Sequence, residues 1–346
     1  MVEEIFPDLH RIEIPLPNNP LKALNSYVIK APGRNLIVDT GMNREECKRA
    51  MYSGLGELSV DLQKTDFFIT HFHADHSGLV SILPTDTSVV YFNQPDADFL
   101  SSSVSHWENV RHFAYQYGFP EKELQEALEK HPGNVYSAKG QLHFSILKEG
   151  DTINIGCYLF KCVETPGHTG GHMCLYEPEK KILISGDHIL SDITPNISLW
   201  SAEKNPLKEY LASLDKIYDF DIEIVLPGHR NIFRNSKERI RELQKHHQVR
   251  AEEVLSILEK GGMNAYQVAS RMSWEMTYEF WDLFPAAQKW FATGEAIAHL
   301  KYLEEKGVIR KKVQGQKILF SLSEKETVDK YRDQERNDKA ILEKDE

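Results

Sequence analysis

The chain has 346 residues, of which 41% are hydrophobic, and a formal net charge of −11. This length is enough for one large domain and one small one. No apolar run reaches the roughly 18 residues that a membrane span needs, and the start lacks the basic and apolar regions of a signal peptide. The four cysteines show no zinc-ribbon spacing, and reduced thiols fit a reducing compartment. We therefore expect a cytoplasmic protein without a membrane span.

The first chemical signal along the chain is the segment HFHADH at residues 71–76. It follows an apolar run from Asp66 to Thr70 that is typical of a buried strand. Neutral imidazole and carboxylate groups are ligands that zinc and similar divalent ions take. A run of surface or core histidines is the plain alternative, but three imidazoles and one carboxylate within six positions favour a metal site at the end of a strand.

Further candidate ligands follow three later strand-like segments. Each stands next to a glycine that lets the backbone turn tightly as it leaves a sheet. They are His168 after the segment 158–163, Asp187 after 181–184, and His229 after 222–225. We expect these groups to complete the coordination that residues 71–76 begin.

The ordered motifs HxHxDH, PGHT, GD and PGH resemble those of the metallo-β-lactamase superfamily of dinuclear hydrolases. The resemblance covers about residues 1–230 and implies an α/β fold, a four-layer αββα sandwich with the metals in a groove along one edge. It assigns His71, His73 and His168 to the first metal and Asp75, His76 and His229 to the second, with Asp187 as the bridge between them. Asp39 is expected to support a ligand, with capping of turn amides as the alternative.

The implied ligand set predicts a metal-dependent hydrolase. Two divalent ions about 3.5–4 Å apart can share a bridging hydroxide at neutral pH and polarise a scissile oxygen. Zinc is the first expectation for both ions, with manganese or iron as alternatives, because a His/Asp site accepts all three. Asp75 is placed to bind metal and to shuttle a proton as the catalytic acid/base. Asp187 stands where antibiotic-degrading members of the family typically place cysteine, which argues against a true β-lactamase.

The other histidines are interpreted singly. His172 and His188 lie near candidate ligands in the sequence, and we interpret them as structural or supporting residues, with substrate contact as the alternative. The remaining ones have no partner at ligand spacing, so solvent or core roles are assigned to His10, His106, His112, His131, His143, His246, His247 and His299.

Residues 94–139 are predicted to form a helical insertion rich in aromatic side chains. The insertion either packs its apolar face on the sandwich or closes as a lid over the metal groove. Substitution of Trp107 or Phe113 would separate these alternatives. A second wall of the groove is expected from residues 191–200, through Asp192, Thr194, Asn196 or Trp200.

The pattern changes after residue 235, where the predicted catalytic domain (residues 1–235) ends. Helical patterns at 236–260, 264–272 and 287–306 precede a predicted hairpin of strands 308–313 and 317–322. Three helices and a two-stranded wing indicate a small C-terminal winged-helix domain at residues 236–322. The charged residues 323–346 are predicted to be a solvated helix or a disordered tail. This domain order resembles the lactamase-beta-like branch of the superfamily, whose members include an endoribonuclease.

Charge helps to choose the substrate. Residues 1–229 carry 32 acidic against 19 basic side chains, and the rest of the chain carries 20 against 22. Because a polyanion is steered by positive potential, this balance favours a small-molecule ester, thioester, lactone or phosphodiester, with the winged helix as a packing or homodimerisation element. The alternative is a metal-dependent single-strand endoribonuclease whose winged helix binds RNA through Arg310, Lys311 and Lys312.

Overall fold

The computed structural model describes residues 1–101, 105–199, 204–275 and 278–342. The described chain divides into two compact units. The first comprises Met1–Ser103, Lys130–Pro195 and Glu209–Arg241, and the second comprises Val104–Glu129, Asn196–Lys208 and Glu242–Glu346. Trp200 and the side chain of Trp107 lie outside the described residues. The domain boundaries expected at residues 235 and 322 stay predictions.

The larger sheet of the first unit has seven strands within the described residues, and they follow one another in chain order across the sheet. They are β1 (Val2–Phe6), β2 (Leu9–Pro15), β3 (Ala23–Ile29), β4 (Asn35–Val38), β5 (Thr65–Phe68), β6 (Val90–Asn93) and β7 (Ser145–Leu147). β1 to β4 pair antiparallel, whereas β4 to β7 pair parallel. Parallel strands end at the same edge of a sheet, so the segment that follows β5 begins at that edge.

The smaller sheet of the first unit has five described strands in the order β12-β11-β10-β9-β8. They are β8 (Thr152–Ile155), β9 (Tyr158–Glu164), β10 (Met173–Glu177), β11 (Ile182–Gly186) and β12 (Ile224–Pro227). β11 and β12 pair parallel, with Gly186 opposite Pro227. The chain therefore leaves both strands on the same side, which brings the segments after Gly186 and Pro227 together.

A hydrophobic core joins the two sheets. Tyr27 and Phe68 of the larger sheet and Phe160 and Leu175 of the smaller one are almost completely buried in a single cluster. On the other face of the larger sheet, helix α1 (Glu45–Glu57) contributes its buried side chains to a second cluster with strands β2 to β6. Alternating apolar residues along the strands supply both faces, as the mixed α/β architecture requires.

The helices that position the site in the first unit are short. α2 (Ala74–Ser77) follows β5, α3 (Gln94–Ser101) follows β6, and α6 (Pro132–Val135) precedes β7. α7 (Pro206–Tyr218) begins in the second unit and continues in the first. Single 3-10 turns lie at Leu62–Lys64 and Gly78–Ser81 of this unit.

The second unit is built mainly from helices. These are α4 (Ser105–Gln116), α5 (Glu121–Glu129), most of α8 (Ser236–Leu258), α9 (Ala265–Ala269), α10 (Ala286–Glu305) and α11 (Lys325–Leu342), with a 3-10 turn at Trp281–Leu283. A hairpin of β13 (Ile309–Gln314) and β14 (Lys317–Leu322) completes it. The three helices and the hairpin predicted from the sequence are confirmed as elements, and within the charged C-terminal stretch the residues Lys325–Leu342 are helical.

One apolar cluster stabilises the second unit. It includes Val254 of α8, Leu300 of α10 and Phe320 of β14, all of them nearly inaccessible to solvent. Among the described residues, none of the helices combines the length and the apolarity that crossing a bilayer requires.

Candidate metal centre

The segment 71–76 follows β5 and continues into helix α2. His73 is the N-cap of α2, and Asp75 and His76 lie within this one-turn helix. Its backbone is held by hydrogen bonds from the amides of His76 and Ser77 to the carbonyl of His73. The strand end and the tight turn therefore present four side chains within six residues toward one point.

Three imidazoles form the first donor group, which consists of His71, His73 and His168. His73 Nδ1 lies 3.0 Å from His71 Nε2 and 2.9 Å from His168 Nε2. Ligand nitrogens around a tetrahedral zinc ion lie about 3.3 Å apart, since each zinc–nitrogen bond is about 2.0–2.1 Å long. The first donor group therefore has nearly the spacing of a metal coordination sphere.

A second donor group consists of Asp75, His76 and His229. His229 Nε2 lies 3.2 Å from His76 Nε2 and 3.3 Å from Asp75 Oδ2. His229 follows β12 of the smaller sheet, whereas Asp75 and His76 belong to α2, which follows β5 of the larger sheet, so this group joins segments that follow strands of both sheets.

Asp187 lies against both donor groups. Its Oδ1 is 3.5 Å from His76 Nε2, and its Oδ2 is 3.5 Å from both His168 Nε2 and His229 Nε2. Oδ1 is buried without a hydrogen-bond partner among the described residues. A buried carboxylate oxygen in this state costs free energy unless a cation or donor satisfies it. The donor set therefore fits a divalent metal.

Glycines make room for this carboxylate. A Cβ on Gly228 would lie 2.7 Å from both Asp187 Oδ1 and His76 Cε1. Gly186 has a φ of +49°, and a Cβ there would lie 2.7 Å from His172 Nε2. Both positions exclude a side chain, which explains the glycines directly before Asp187 and His229.

Comparison with known proteins agrees with this geometry. The family model described as Metallo-beta-lactamase superfamily matches residues 21–229, and the one described as Metallo-beta-lactamase-like, C-terminal domain matches residues 251–320. The chain belongs to the metallo-β-lactamase superfamily. The resemblance stated from the motifs is thereby confirmed.

Relatives in this superfamily include enzymes. A probable metallo-hydrolase of Bacillus subtilis (strain 168) is 26% identical over 315 residues, which are 85% of this chain and 92% of that protein. An atrochrysone carboxyl ACP thioesterase of Aspergillus fumigatus is 25% identical over 268 residues, 73% of this chain and 69% of that protein. A crystal structure of a metallo-beta-lactamase family protein from Thermus thermophilus matches with a TM-score of 0.79 and 27% identity, covering 92% of this chain and 100% of that one. The superfamily fold and the hydrolase class predicted from the sequence are confirmed.

Hydrogen bonds at the far side of three rings set their tautomers. His76 Nδ1 lies 2.8 Å from Asp39 Oδ2, and His229 Nδ1 lies 2.7 Å from the carbonyl of Ala23. Thr70 donates its hydroxyl hydrogen to Asp39 and therefore accepts one from His71 Nδ1 at 3.0 Å. In the neutral form of each ring, Nε2 then carries the lone pair toward the site that a metal ligand requires. Asp39 thus contacts the candidate ligand His76, and it also accepts a hydrogen bond of 2.9 Å from the backbone amide of Thr70, so both expected roles of Asp39 find a contact.

The electrostatics of the two donor groups differ. Burial, with the neighbouring imidazoles, holds the pKa of His71 well below its ordinary value, and burial does the same for His73. Burial also lowers the pKa of His76, but the carboxylates of Asp39 and Asp187 outweigh it and raise that pKa well above the ordinary value. The carboxylates at and beside the second group thus favour positive charge there, which either protons or a metal ion can supply.

The two carboxylates themselves are held as anions. Burial raises the pKa of Asp75, but the hydrogen bond with His229 and the charges of His76 and His229 lower it below its ordinary range. The pKa of Asp187 is likewise lowered despite burial, by His229, His76 and His168. An ionised carboxylate is the form that binds a cation and accepts a proton.

His172 and His188 are both fully buried. His172 Nε2 accepts a hydrogen bond of 3.1 Å from the backbone amide of Asp187, and His172 Nδ1 lies 2.8 Å from Thr165 Oγ1. The ring of His188 packs edge-on against Tyr210 at 5.4 Å, and burial lowers the pKa of His188 to about 3. These contacts favour the structural interpretation over substrate contact.

Two features were not anticipated in the sequence. Asp96 of α3 accepts hydrogen bonds from the loops that carry His71 and His168. No motif surrounds Asp96, so nothing in the sequence distinguishes it from a surface carboxylate. Asn196, one of four residues considered for substrate contact, has its Nδ2 3.5 Å from Glu295 Oε2 of α10.

Proposed function

We propose that this hydrolase binds two divalent cations at the candidate metal centre and hydrolyses a small ester-like substrate. The observation that carries the proposal is the overlap of three donor groups among the described residues: His71 with His73 and His168, His71 with His76 and Asp187, and Asp75 with His76 and His229. One cation cannot satisfy all of these donors at bond distances of about 2 Å. Asp187, which contacts members of two groups, is proposed as the bridging ligand.

Zinc is our first choice for both cations, with manganese or iron as alternatives, because the donors are imidazoles and carboxylates without a thiolate. When bound, two such ions supply a hydroxide at neutral pH and polarise the scissile bond. His71, His73 and His168 would hold one ion, and Asp75, His76 and His229 the other. The buried hydrogen bonds at Nδ1 of His71, His76 and His229 help to keep these three rings aimed at the site.

Asp75 is the residue that we assign as catalytic acid/base. Its carboxylate is ionised and only slightly exposed, at the position where the second donor group meets Asp187. An ionised carboxylate can accept a proton from water and deliver it to the leaving group. This role requires Asp75 to be ligand and proton carrier in turn.

For the substrate we favour an acyl compound, with a thioester ahead of an ester, lactone or phosphodiester. One relative is named as a thioesterase, and the acidic excess of residues 1–229 opposes a polyanion. A single-strand endoribonuclease is the second candidate. The observation in its favour is the exposure of Lys311 and Lys312 on β13, whereas Arg310 is 3.0 Å from Glu324.

We further propose that residues 1–235 form the catalytic domain and residues 236–322 a winged helix. The order α8, α9, α10, β13 and β14 supports the second part of this proposal, since three helices and a hairpin define such a module. In the small-substrate function the winged helix packs or mediates homodimerisation, and in the ribonuclease function it binds RNA.

A substrate panel tests the proposal. Metal-loaded protein is assayed with a generic thioester, ester, lactone, phosphodiester and single-stranded RNA, before and after chelation. We expect the thioester to be cleaved fastest, chelation to abolish turnover, and zinc, manganese or iron to restore it. Turnover that survives complete chelation would contradict the proposal, and faster cleavage of RNA would move the ribonuclease to first place.

A further inference from the structure

Asp96 is a buried carboxylate that connects two ligand-bearing loops. It is 2% exposed and lies on helix α3. Its Oδ2 accepts hydrogen bonds from the backbone amide of Phe72 at 2.9 Å and from Thr169 Oγ1 at 2.7 Å, and its Oδ1 accepts one from the backbone amide of Gly171 at 2.6 Å. Charge-assisted hydrogen bonds of this length are the strong ones.

Two of these three hydrogen-bonding residues directly adjoin members of the first donor group, and Gly171 stands three residues after His168. Phe72 stands between His71 and His73, and Thr169 directly follows His168. One carboxylate thus fixes the backbone on both sides of the 2.9 Å approach between His73 Nδ1 and His168 Nε2. A shift of either loop would lengthen at least one of these hydrogen bonds.

The surroundings of Asp96 are shaped to receive it. A Cβ on Gly171 would lie 2.6 Å from Asp96 Oδ1, so only glycine admits the carboxylate at that distance. Phe99, one turn further along α3, stacks on Phe72 with ring centroids 3.9 Å apart. α3 therefore holds the segment 71–76 through a hydrogen bond and an aromatic contact at once.

Holding three imidazole nitrogens about 3 Å apart is unfavourable before a cation arrives, because their lone pairs converge. Loop freedom must also be given up when the ligands assemble. A clamp that ties the loops to each other reduces both penalties at the moment of binding, which is the general effect of outer hydrogen bonds on metal affinity.

We propose that Asp96 is a positioning residue that presets the first donor group for its cation by clamping the His71–His73 loop to the His168 loop. Asp96 is not itself a member of any donor group among the described residues. The inference rests on the proposed function, since it needs a cation at that group.

Zinc titration of the purified full-length chain in competition with a chromophoric chelator tests the clamp. Asp96→Asn keeps the size of the side chain but turns an NH₂ group toward one of three donors. We expect roughly 10–100-fold weaker binding of one zinc ion, with the other unchanged, the usual effect of losing such an outer contact. Thr169→Val removes a single hydrogen bond and should weaken the same ion several-fold.

Asp66→Asn is the matched control. Asp66 is a buried carboxylate of β5 that accepts hydrogen bonds from Arg34 and from the backbone amide of Val89, and neither of these partners, among the described residues, belongs to a ligand-bearing loop. The Asp66→Asn substitution should lower the melting temperature of the apoprotein and leave both zinc affinities unchanged.

Zinc affinities of Asp96→Asn and Thr169→Val within threefold of wild type would overturn this inference and leave the proposed function standing. An equal loss in Asp66→Asn would also overturn it, because the effect would then follow stability and not position. Wild-type protein that takes up no zinc, manganese or iron would instead overturn the proposed function.

Discussion

Two clusters of buried histidines, one in each unit, differ in what supplies positive charge to the carboxylates beside them. In the second unit His247 Nδ1 lies 3.3 Å from His299 Nε2, and both rings are nearly inaccessible to solvent. Burial lowers the pKa of His299 to about 3 and that of His247 well below the ordinary value, much as it does for His71 and His73. Burial and a lowered pKa therefore do not distinguish a metal ligand from a core histidine.

The neighbours of each cluster make the distinction. Beside His247 and His299 the positive charge comes from an arginine side chain, since Arg250 Nε lies 3.3 Å from Glu295 Oε1. His299 Nδ1 donates a hydrogen bond to the backbone carbonyl of Glu295. At the metal centre the ion-pair partners of Asp75 and Asp187 are imidazoles. Among the described residues, the ion-pair contacts of these carboxylates include no arginine or lysine, so their positive charge comes from protons on the imidazoles or from a metal ion.

The largest effect is expected from Asp75→Asn. Removing the carboxylate should lower turnover by a factor on the order of 10²–10⁴, the usual size of an acid/base contribution, while the fold persists. Glu295→Gln, which changes the carboxylate beside the other cluster, should leave turnover unchanged. Steady-state kinetics with metal content measured in parallel decide this, and turnover of Asp75→Asn within threefold of wild type would remove its assigned role.

The buried histidine cluster of the second unit should make the free energy of unfolding depend on pH. The pKa of His299 is about 3 in the folded chain, below the ordinary value of about 6.5, so the unfolded state takes up the proton first as pH falls. His299 therefore lowers the free energy of unfolding progressively below about pH 6.5. The stability advantage of wild type over His299→Gln should shrink by about 1 kcal/mol between about pH 7 and pH 5.5. Urea unfolding at both pH values measures this, and a constant difference would contradict it.

Substitution of Phe113 distinguishes the two interpretations of the helical insertion, a lid over the groove or a packed helix. Its ring lies 4.5 Å from that of Tyr117 and packs against the core of the second unit. Truncation of a half-buried aromatic side chain costs about 1–3 kcal/mol, so Phe113→Ala should lower the melting temperature by roughly 2–10 °C and keep KM within twofold. A raised KM at an unchanged melting temperature would support the lid.

The smallest effect is expected at the hairpin. Changing Arg310, Lys311 and Lys312 together to Gln should leave hydrolysis of a small substrate unchanged. If the hairpin binds RNA, the slope of log affinity against log salt should flatten by at most about two units, since each phosphate contact contributes about 0.7. Wild-type RNA binding should already be weak at physiological salt. Tight, salt-sensitive binding that the triple change abolishes would favour the ribonuclease.

The residues of the donor groups could be predicted from the sequence because short local motifs mark them. HxHxDH names four of them within six residues, and the glycine beside each later ligand marks a strand end. The hairpin and the long helices were likewise predicted, since periodicity is carried by neighbouring residues.

The supporting contacts could not be predicted because they join distant parts of the chain. His229 hydrogen-bonds the carbonyl of Ala23, 206 residues away, and a backbone carbonyl has no residue type. Asp96 lies 24 residues from Phe72, and its partners include two backbone amides and one hydroxyl. The assignment of Val104–Glu129 to the second unit also depends on tertiary packing, which a local helical pattern does not encode.

Metal content tests the central claim most directly. Elemental analysis of protein purified without chelator should give close to two metal ions per chain, and His71→Ala with His73→Ala should remove at least one. The paired control, His247→Ala with His299→Ala, should retain both ions and lose only stability, because its histidines face an arginine. A fully active, metal-free wild-type preparation would contradict the claim, as would equal loss of metal from both double variants.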